Sequence, residues 1–513
     1  MKKQDRQLPS VSPWIVWPAV VLATATGLAA ALLLWLKLLP LGDPLLWIWK
    51  QRETLQLPFP WTVPAVVVLL VIALLALDTL RSGKSPRGST CAWMVVCLTV
   101  ATGTLMTTMI TDEPEYPVRA AASILGYMSM GYYQEATRVV DVRQYLADVP
   151  GRTTFLKVPE RVGTHPPGPV LLFRAAREWL LSHPVTVSRL EGLLQNWSGG
   201  NNLRNVLNIA QQFAGLNVTQ QDLVMAYWTG VLLTFVAPLV VPLAFALGAL
   251  AADLRVGLAS ATLATAVPAI LCFDPSVDAL SAVVACGVLA LGMWSLRSWS
   301  GIAGLLAGAL LMVGMFWTFG LMALAAVLLV QWLLALRGQS VPSGRLQRLA
   351  PVIGAALGMV LVGVAEFVLL SYNPVTSMSQ SMALQRFLMS TRSYLSSVPW
   401  NLYDVVLFAG PALVVMAAWG TVLAHRGEAL QPRVAALGIG LAVTFLLLLL
   451  GGQTRGEVGR IWGFLMVPLV VPASIPILGL REWGLMSAGT LVLAAQLALV
   501  VSLNCCLRLV SLW

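Results

Sequence analysis

About thirteen times along its length the chain returns to an apolar run long enough to cross a bilayer, and no other feature narrows its fold so sharply. The runs fall at about residues 14–38, 61–80, 91–110, 223–251, 256–273, 277–296, 301–316, 320–336, 351–371, 403–424, 434–451, 461–480 and 484–508. Lipid offers no hydrogen-bond partner to an open strand, so such segments must be helices. A hydrophobic share of 58%, a charged share of only 11% and a mean hydropathy of +0.80 exclude an ordinary soluble protein. The expected fold class is an all-α polytopic membrane protein. Residues 1–513 read as a single transmembrane domain, with a leading helical hairpin at 1–90, a long polar loop at 111–222 and the remaining membrane helices at 223–513. The stretch from Gly301 to Leu336 is too long for one crossing and divides naturally between Gly314 and Gly320, around Trp317 and Thr318. After Met1, Lys2 and Lys3 the first apolar run is long and lacks a small-residue cleavage site, so it is expected to stay as the first span.

A formal net charge of +10 in a soluble protein would point toward nucleic acid, but here the basic residues sit in short loops and act as orientation signals. Lys2, Lys3 and Arg6, then Arg81, Lys84 and Arg87, Arg337, Arg345 and Arg348, and Arg426 and Arg433 all fall on one side under this span count. That side is expected to be cytoplasmic. The opposite side receives 112–222, 273–278, 372–403 and 452–460, so the unusual polar sequences share one face. Cys91, Cys97, Cys272, Cys286, Cys505 and Cys506 lack metal or redox spacing and read as small apolar residues.

The polar loop after the third run is far longer than ordinary connections, which marks it as functional or disordered. Helical periodicity through Val118–Met130 and Val170–Leu181 argues for amphipathic helices at the membrane interface, while the Asn- and Gln-rich segment from Leu190 to Thr219 reads as a solvated excursion. The loop opens with Asp112 and Glu113, followed by Pro114, Glu115 and Tyr116. Carboxylates at the mouth of a span are costly unless they face water or a site. An ionised carboxylate there can deprotonate an acceptor hydroxyl as general base or share in holding a divalent cation, Mg or Mn. As an isolated pair it would equally well terminate a helix.

His165 is locked between Thr164 and the prolines Pro166 and Pro167, just before a helix that starts near Pro169. It is either a polar residue in a rigid helix lead-in or part of a site. His183 and His425 read as structural. Between two strongly apolar runs, Gly452–Arg460 sets Arg455 and Arg460 about Glu457 with three glycines. Arginine at a membrane surface often only anchors a helix among headgroups. Two arginines with a glutamate between them also suit a phosphate bound by forked donors, with Glu457 orienting one guanidinium. Asp274 and Asp278 with Pro275 read as a turn followed by a helix cap. The loop from Ser371 to Trp400, with Arg386, Arg392 and Tyr394, reads as an amphipathic helix near a substrate entrance. Asn196-Trp197-Ser198 and Asn217-Val218-Thr219 match a glycosylation acceptor pattern common by chance. No phosphate-binding Gly-rich loop, dinucleotide fingerprint or Ser/His/Asp arrangement is present in the sequence.

Asp112-Glu113-Pro114-Glu115-Tyr116 after a span, Tyr132-Tyr133 further on, His165-Pro166-Pro167-Gly168 before an apolar run and Arg455–Arg460 near the end resemble motifs of the GT-C superfamily. These are integral membrane glycosyltransferases that use lipid-phosphate-linked sugars. The resemblance covers nearly the whole chain in architecture but only about thirty residues in motif. It implies inverting transfer of a sugar from a polyprenyl-phosphate donor to an acceptor hydroxyl on a glycan, lipid or protein, at the extracytoplasmic face of a bacterial inner membrane. It gives Asp112 the part of the base, with Glu113 and His165 beside it, Arg455, Glu457 and Arg460 the donor phosphate, and Tyr116, Tyr132 and Tyr133 the substrate loop. In the simplest members the acidic loop follows the first span, whereas here it follows the third. That departure leaves the subfamily, the sugar and the acceptor open.

Two other classes compete. A secondary transporter should show paired halves, interrupted helices in matching positions and ionisable residues near the midplane. Glu366 is the one acidic residue placed well inside an apolar run, toward its extracytoplasmic end. A noncatalytic membrane scaffold would need neither the acidic pair nor His165 to share a face with the Arg-Glu-Arg stretch.

Overall fold

The computed structural model describes residues 11–43, 47–48, 50–51, 61–81, 85–111, 131–152, 160–198, 205, 208, 219–273, 276–337, 342–426 and 431–508. Within them the chain is helical apart from two pairs of two-residue antiparallel strands, Gly42–Asp43 with Trp47–Ile48 and Lys50–Gln51 with Leu507–Arg508. Eight helices among the described residues are long and apolar enough to cross a membrane: Pro13–Trp35, Thr62–Arg81, Gly88–Met109, Gln220–Ala251, Asp278–Ser298, Arg345–Leu370, Pro432–Gly451 and Glu482–Cys506. Tyr394–Ala409 and Pro411–Arg426 meet at 93° and add a ninth if they form one broken span. The chain is therefore a polytopic helical protein of membrane-spanning character.

Four of the expected crossings are shorter apolar helices, Leu254–Ala264, Gly301–Met315, Phe319–Ala335 and Gly463–Gly479. The interruptions have local causes. Pro268 opens a new one-turn helix after the bend that follows Ala264, and Pro468 sits in a 3-10 turn, Val467–Leu469, inside the last of the four. The stretch 301–336 divides at Phe316–Thr318, where the Thr318 side chain caps the next turn by accepting from Gly320 N at 3.4 Å.

Small residues let the helices approach closely. A Cβ on Gly304 would lie 2.3 Å from the Pro351 carbonyl oxygen, and one on Gly358 would lie 2.1 Å from that of Leu305, so Gly301–Met315 and Arg345–Leu370 pack backbone to backbone. The leading helices are woven into the bundle. Trp35 Nε1 donates to Ser502 Oγ at 2.7 Å, Val11 N to Gly479 O at 3.1 Å, and Tyr403 Oη to Pro40 O at 2.9 Å.

The polar loop builds a second core. Tyr133, Tyr145, Leu146, Phe173 and Leu194 pack together with Leu223 and Tyr227 from the first turns of the Gln220–Val236 helix. Its described helices are Tyr132–Arg138, Val142–Arg152, Glu160–Thr164, Gly168–Leu181 and Pro184–Ser198. The segment 190–198, read from sequence as a solvated excursion, is instead the end of a packed helix: Leu194 is buried, and Trp228 Nε1 donates to Leu190 O at 3.3 Å. Polar composition misled there because one apolar residue per turn suffices to seat a short helix. Val118–Met130, and most of 199–219, lie outside the described residues.

Candidate functional site

The late arginine loop is shaped by its glycines and held by one neighbouring helix. Gly452 (φ 60) ends the Pro432–Gly451 helix, Gly456 has φ 113, and Glu457 itself takes the left-handed conformation at φ 58 before Val458–Ile461 begins. Asn401, on Tyr394–Ala409, reads the loop twice: its Nδ2 donates to Thr454 O at 2.8 Å and its Oδ1 accepts from Gly456 N at 3.0 Å. Arg392 Nη1 donates to Arg455 O at 2.6 Å. Gly459 lies flat against Phe408, whose ring would sit 2.1 Å from a Cβ at that position.

The two arginines of this loop have different surroundings. Arg455 turns into the protein, donating from Nε to Gly452 O at 3.2 Å and from Nη1 to Met389 O at 3.1 Å and to Arg392 O, with its guanidinium 5.8 Å from the Tyr394 ring. It clamps the loop to the preceding helical corner. Arg460 faces carboxylates: Nη2 donates to Glu457 Oε2 at 3.0 Å, and Nε lies 3.4 Å from Asp278 Oδ2. Burial works against its charge, but Asp278, Glu457 and the Tyr132 phenol outweigh it and hold the guanidinium above its usual range.

Asp278, read from sequence as part of a turn and cap, thus belongs to this cluster. The helix cap position falls on Val277, while Ser276 Oγ donates to Asp278 Oδ2 at 3.0 Å and accepts from Asp278 N at 3.1 Å, which steers the carboxylate toward Arg460. An acidic residue at the first turn of an apolar helix looks the same in sequence whichever way it points, so only the partner distinguishes the two cases.

From Asp278 the contacts lead to the histidine motif. Trp317 Nε1 donates to Val277 O at 2.8 Å, and Gly168 N donates to Phe316 O at 2.9 Å. A Cβ on Gly168 would stand 2.4 Å from that same oxygen, so the end of the His165–Gly168 segment can dock here only as glycine. His165 Nδ1 is 3.1 Å from Thr164 Oγ1, and its ring meets Tyr132 edge-on with centroids 5.9 Å apart. Tyr132 is also close enough to Arg460 for its oxygen to favour the guanidinium's charge. His165, Tyr132, Arg460, Asp278 and the Phe316–Trp317 corner therefore form one closed neighbourhood. The corner has a sequence signal, two aromatic residues followed by Thr318 at the break of an apolar run, but its role as a dock was not legible.

Tyr133 points elsewhere. Its hydroxyl donates to Asp222 Oδ1 at 3.0 Å, and Arg177 Nε lies 3.1 Å from the same oxygen. Burial first, then the charge of Asp222, raises the phenol above its ordinary pKa, so Tyr133 serves the loop's core. Asp112, Glu113 and Tyr116 lie outside the described residues.

Beside the Phe316 corner lies an apolar cavity of about 450 Å³, lined by Met312, Met315, Met322, Met359, Phe367 and Met378 among others. Methionine side chains adapt to irregular apolar shapes. Among the described residues no group of three or more His, Cys, Asp or Glu side chains comes together as a metal site. At the Arg460 cluster the carboxylates are Asp278 and Glu457, both engaged by the guanidinium. The described cysteines are all free, and only Cys97 is not fully buried. Comparison of the chain with protein-family models, with curated proteins and with solved structures finds no match.

Proposed function

We propose that this chain is a membrane glycosyltransferase of the GT-C type, transferring a sugar from a polyprenyl-phosphate donor to an acceptor hydroxyl at the extracytoplasmic face. The observation that carries this reading is the meeting of the His165 segment, Tyr132, Asp278 and the Arg455–Arg460 loop at one place, from four separate parts of the chain. In this reading Arg460 is the phosphate-facing cation. Asp278 and Glu457 hold its fork until the donor phosphate competes for it, a charge-assisted exchange that suits a leaving group on which negative charge builds. Arg455 is a positioning residue, since its donors already serve three backbone carbonyls. The methionine-lined cavity suits the isoprenoid chain of the donor.

Asp112, which follows the Gly88–Thr111 helix directly, is the proposed base, with Glu113 as its neighbour. A divalent cation would draw on Asp112 and Glu113 rather than on the two carboxylates that Arg460 engages. Single-turnover transfer from a defined polyprenyl-phosphate sugar by the purified protein tests the reading. Asp112→Asn is expected to lower turnover by about 10²–10⁴-fold while donor binding survives. Glu113→Gln should do less damage. Near-wild-type rates in both variants would remove this loop as the catalytic centre.

The right-angled break at Gly410 favours a second reading, a secondary transporter, because interrupted helices are the usual frame of a transport site. Reconstituted protein that moves a solute across vesicles without transferring sugar would decide for it.

A further inference from the structure

Charge is spread unevenly along the helices behind the Phe316–Trp317 corner. Between Asp278 and Glu366 the sequence holds four arginines, Arg297, Arg337, Arg345 and Arg348, and no Asp or Glu. All four fall at one end of the helices Asp278–Ser298, Gly301–Met315, Phe319–Ala335 and Arg345–Leu370, the end opposite Asp278. Toward that same end an apolar cavity of about 270 Å³ lies between the last two of these helices, over a floor made by the first two. Its lips, Leu329 and Ala356, are exposed, whereas Gly292, Gly304 and Gly308 in the floor are buried. The hollow exists because glycine and alanine at these positions carry too little side chain to fill it.

Two of the arginines stand directly over this cavity. Arg345, Arg348, Val352, Ala355 and Met359 recur at intervals of three and four, so they share one face of their helix, and the last three line the cavity. Trp332, also in the lining, donates from Nε1 to Arg348 O at 2.8 Å, which ties the cavity wall to the basic turn. Side chains on a helix lean toward its N-terminus, so Arg345 and Arg348, both exposed, reach away from the apolar lining toward headgroup level. From Arg348 to Met359 the helix rises about 16 Å. That is roughly half of the 30 Å or so of hydrocarbon in a bilayer, so the cavity is one leaflet deep. A zwitterionic lipid meets its phosphate with its own cation, whereas guanidinium groups in a stretch free of carboxylates, at a helix N-terminus, favour a headgroup with net negative charge.

We propose that this cleft binds one anionic phospholipid of the adjoining leaflet, with an acyl chain in the cavity and the phosphate on Arg345 and Arg348. The lipid fills the gap between Phe319–Ala335 and Arg345–Leu370 and so braces the helices that carry the Phe316–Trp317 corner at their other end. Met359 also lines the larger methionine-rich cavity, so the two hollows abut there. Each serves a chain from its own leaflet. The proposal does not rest on the glycosyl-transfer reading.

Native mass spectrometry of the purified full chain, titrated in detergent with dioleoyl phosphatidylglycerol or dioleoyl phosphatidylcholine, tests it. The wild type should take up one phosphatidylglycerol well before phosphatidylcholine. Arg345→Gln and Arg348→Gln should each weaken phosphatidylglycerol by about fivefold, the scale of one basic residue at an anionic surface, and leave phosphatidylcholine unchanged. Ala356→Trp, which fills the cavity from its lip, should abolish the preferred adduct. Equal uptake of the two lipids by the wild type overturns the proposal, and so does undiminished uptake in Ala356→Trp. Should that variant fail to fold, Leu329→Trp at the opposite lip decides the same point. Displacement of the phosphatidylglycerol by an uncharged polyprenol would also overturn it, assigning both hollows to a single isoprenoid chain.

Discussion

Tyr132 and Tyr133 are adjacent on one short helix, yet each joins a cluster of the same ingredients, tyrosine, arginine and carboxylate, with opposite outcomes. Around Tyr133 the account closes: Arg177 and the phenol share the single carboxylate of Asp222, which Thr219 also holds through its hydroxyl at 2.7 Å and its N–H at 3.2 Å. One positive and one negative charge, with the donors arrayed on one acceptor, make a lock. Around Tyr132 the account stays open. Arg460 faces two carboxylates, and a histidine ring stands beside the phenol. A surplus of negative charge about a guanidinium leaves groups able to exchange partners, which a lock must not do. Neighbouring residues of one type thus join two different clusters because consecutive helical positions point about 100° apart.

The comparison breaks first at Arg460. On the proposed reading Arg460→Ala reduces sugar transfer per folded molecule by about 10²–10³-fold, the scale of one lost transition-state donor, besides lowering the thermal midpoint because Asp278 and Glu457 lose their counter-charge. Arg177→Ala should lower the midpoint alone, leaving turnover per folded molecule near wild type. Donor kinetics that survive Arg460→Ala would turn the open cluster into a second lock.

A smaller effect is expected at the closed cluster. Asp222→Asn keeps the shape of the acceptor but removes its charge, so stability should fall by about 2 kcal/mol, read by denaturation in detergent or by proteolysis rate. No change there would mean that the apolar packing of Phe173, Leu194 and Tyr227 alone holds the loop to its helix.

The smallest expected effect concerns pH. Burial and Asp222 raise the Tyr133 phenol above its ordinary pKa of 10.0, so the folded state favours the protonated phenol. The sign follows: what the phenol contributes is intact below about pH 10 and declines as the pH climbs above it. The wild type should therefore lose stability above that pH more steeply than Tyr133→Phe. Tyr132→Phe, compared in the same experiment, tests whether the two neighbours differ as described.

Membrane character was legible from the sequence because burial in lipid demands long apolar helices whatever they pack against, and the same demand located the helical breaks at Phe316–Thr318 to within a few residues. His165, Tyr132 and Arg460 could be singled out one by one, since prolines beside a histidine and charges beside glycines are local patterns. The Gly304–Gly308 and Gly354–Gly358 spacings were equally available as signs of close helix contact. What local pattern could not supply was direction. Tertiary structure decided that Asp278 turns toward Arg460, that Arg455 spends its donors on carbonyls while Arg460 meets carboxylates, and that of two tyrosines buried in one core Tyr133 reaches Asp222 while Tyr132 meets His165. Each depends on residues dozens of positions away or more, or on which side of a helix a neighbour packs, and a one-dimensional sequence records the chemistry of a side chain without recording what stands opposite it.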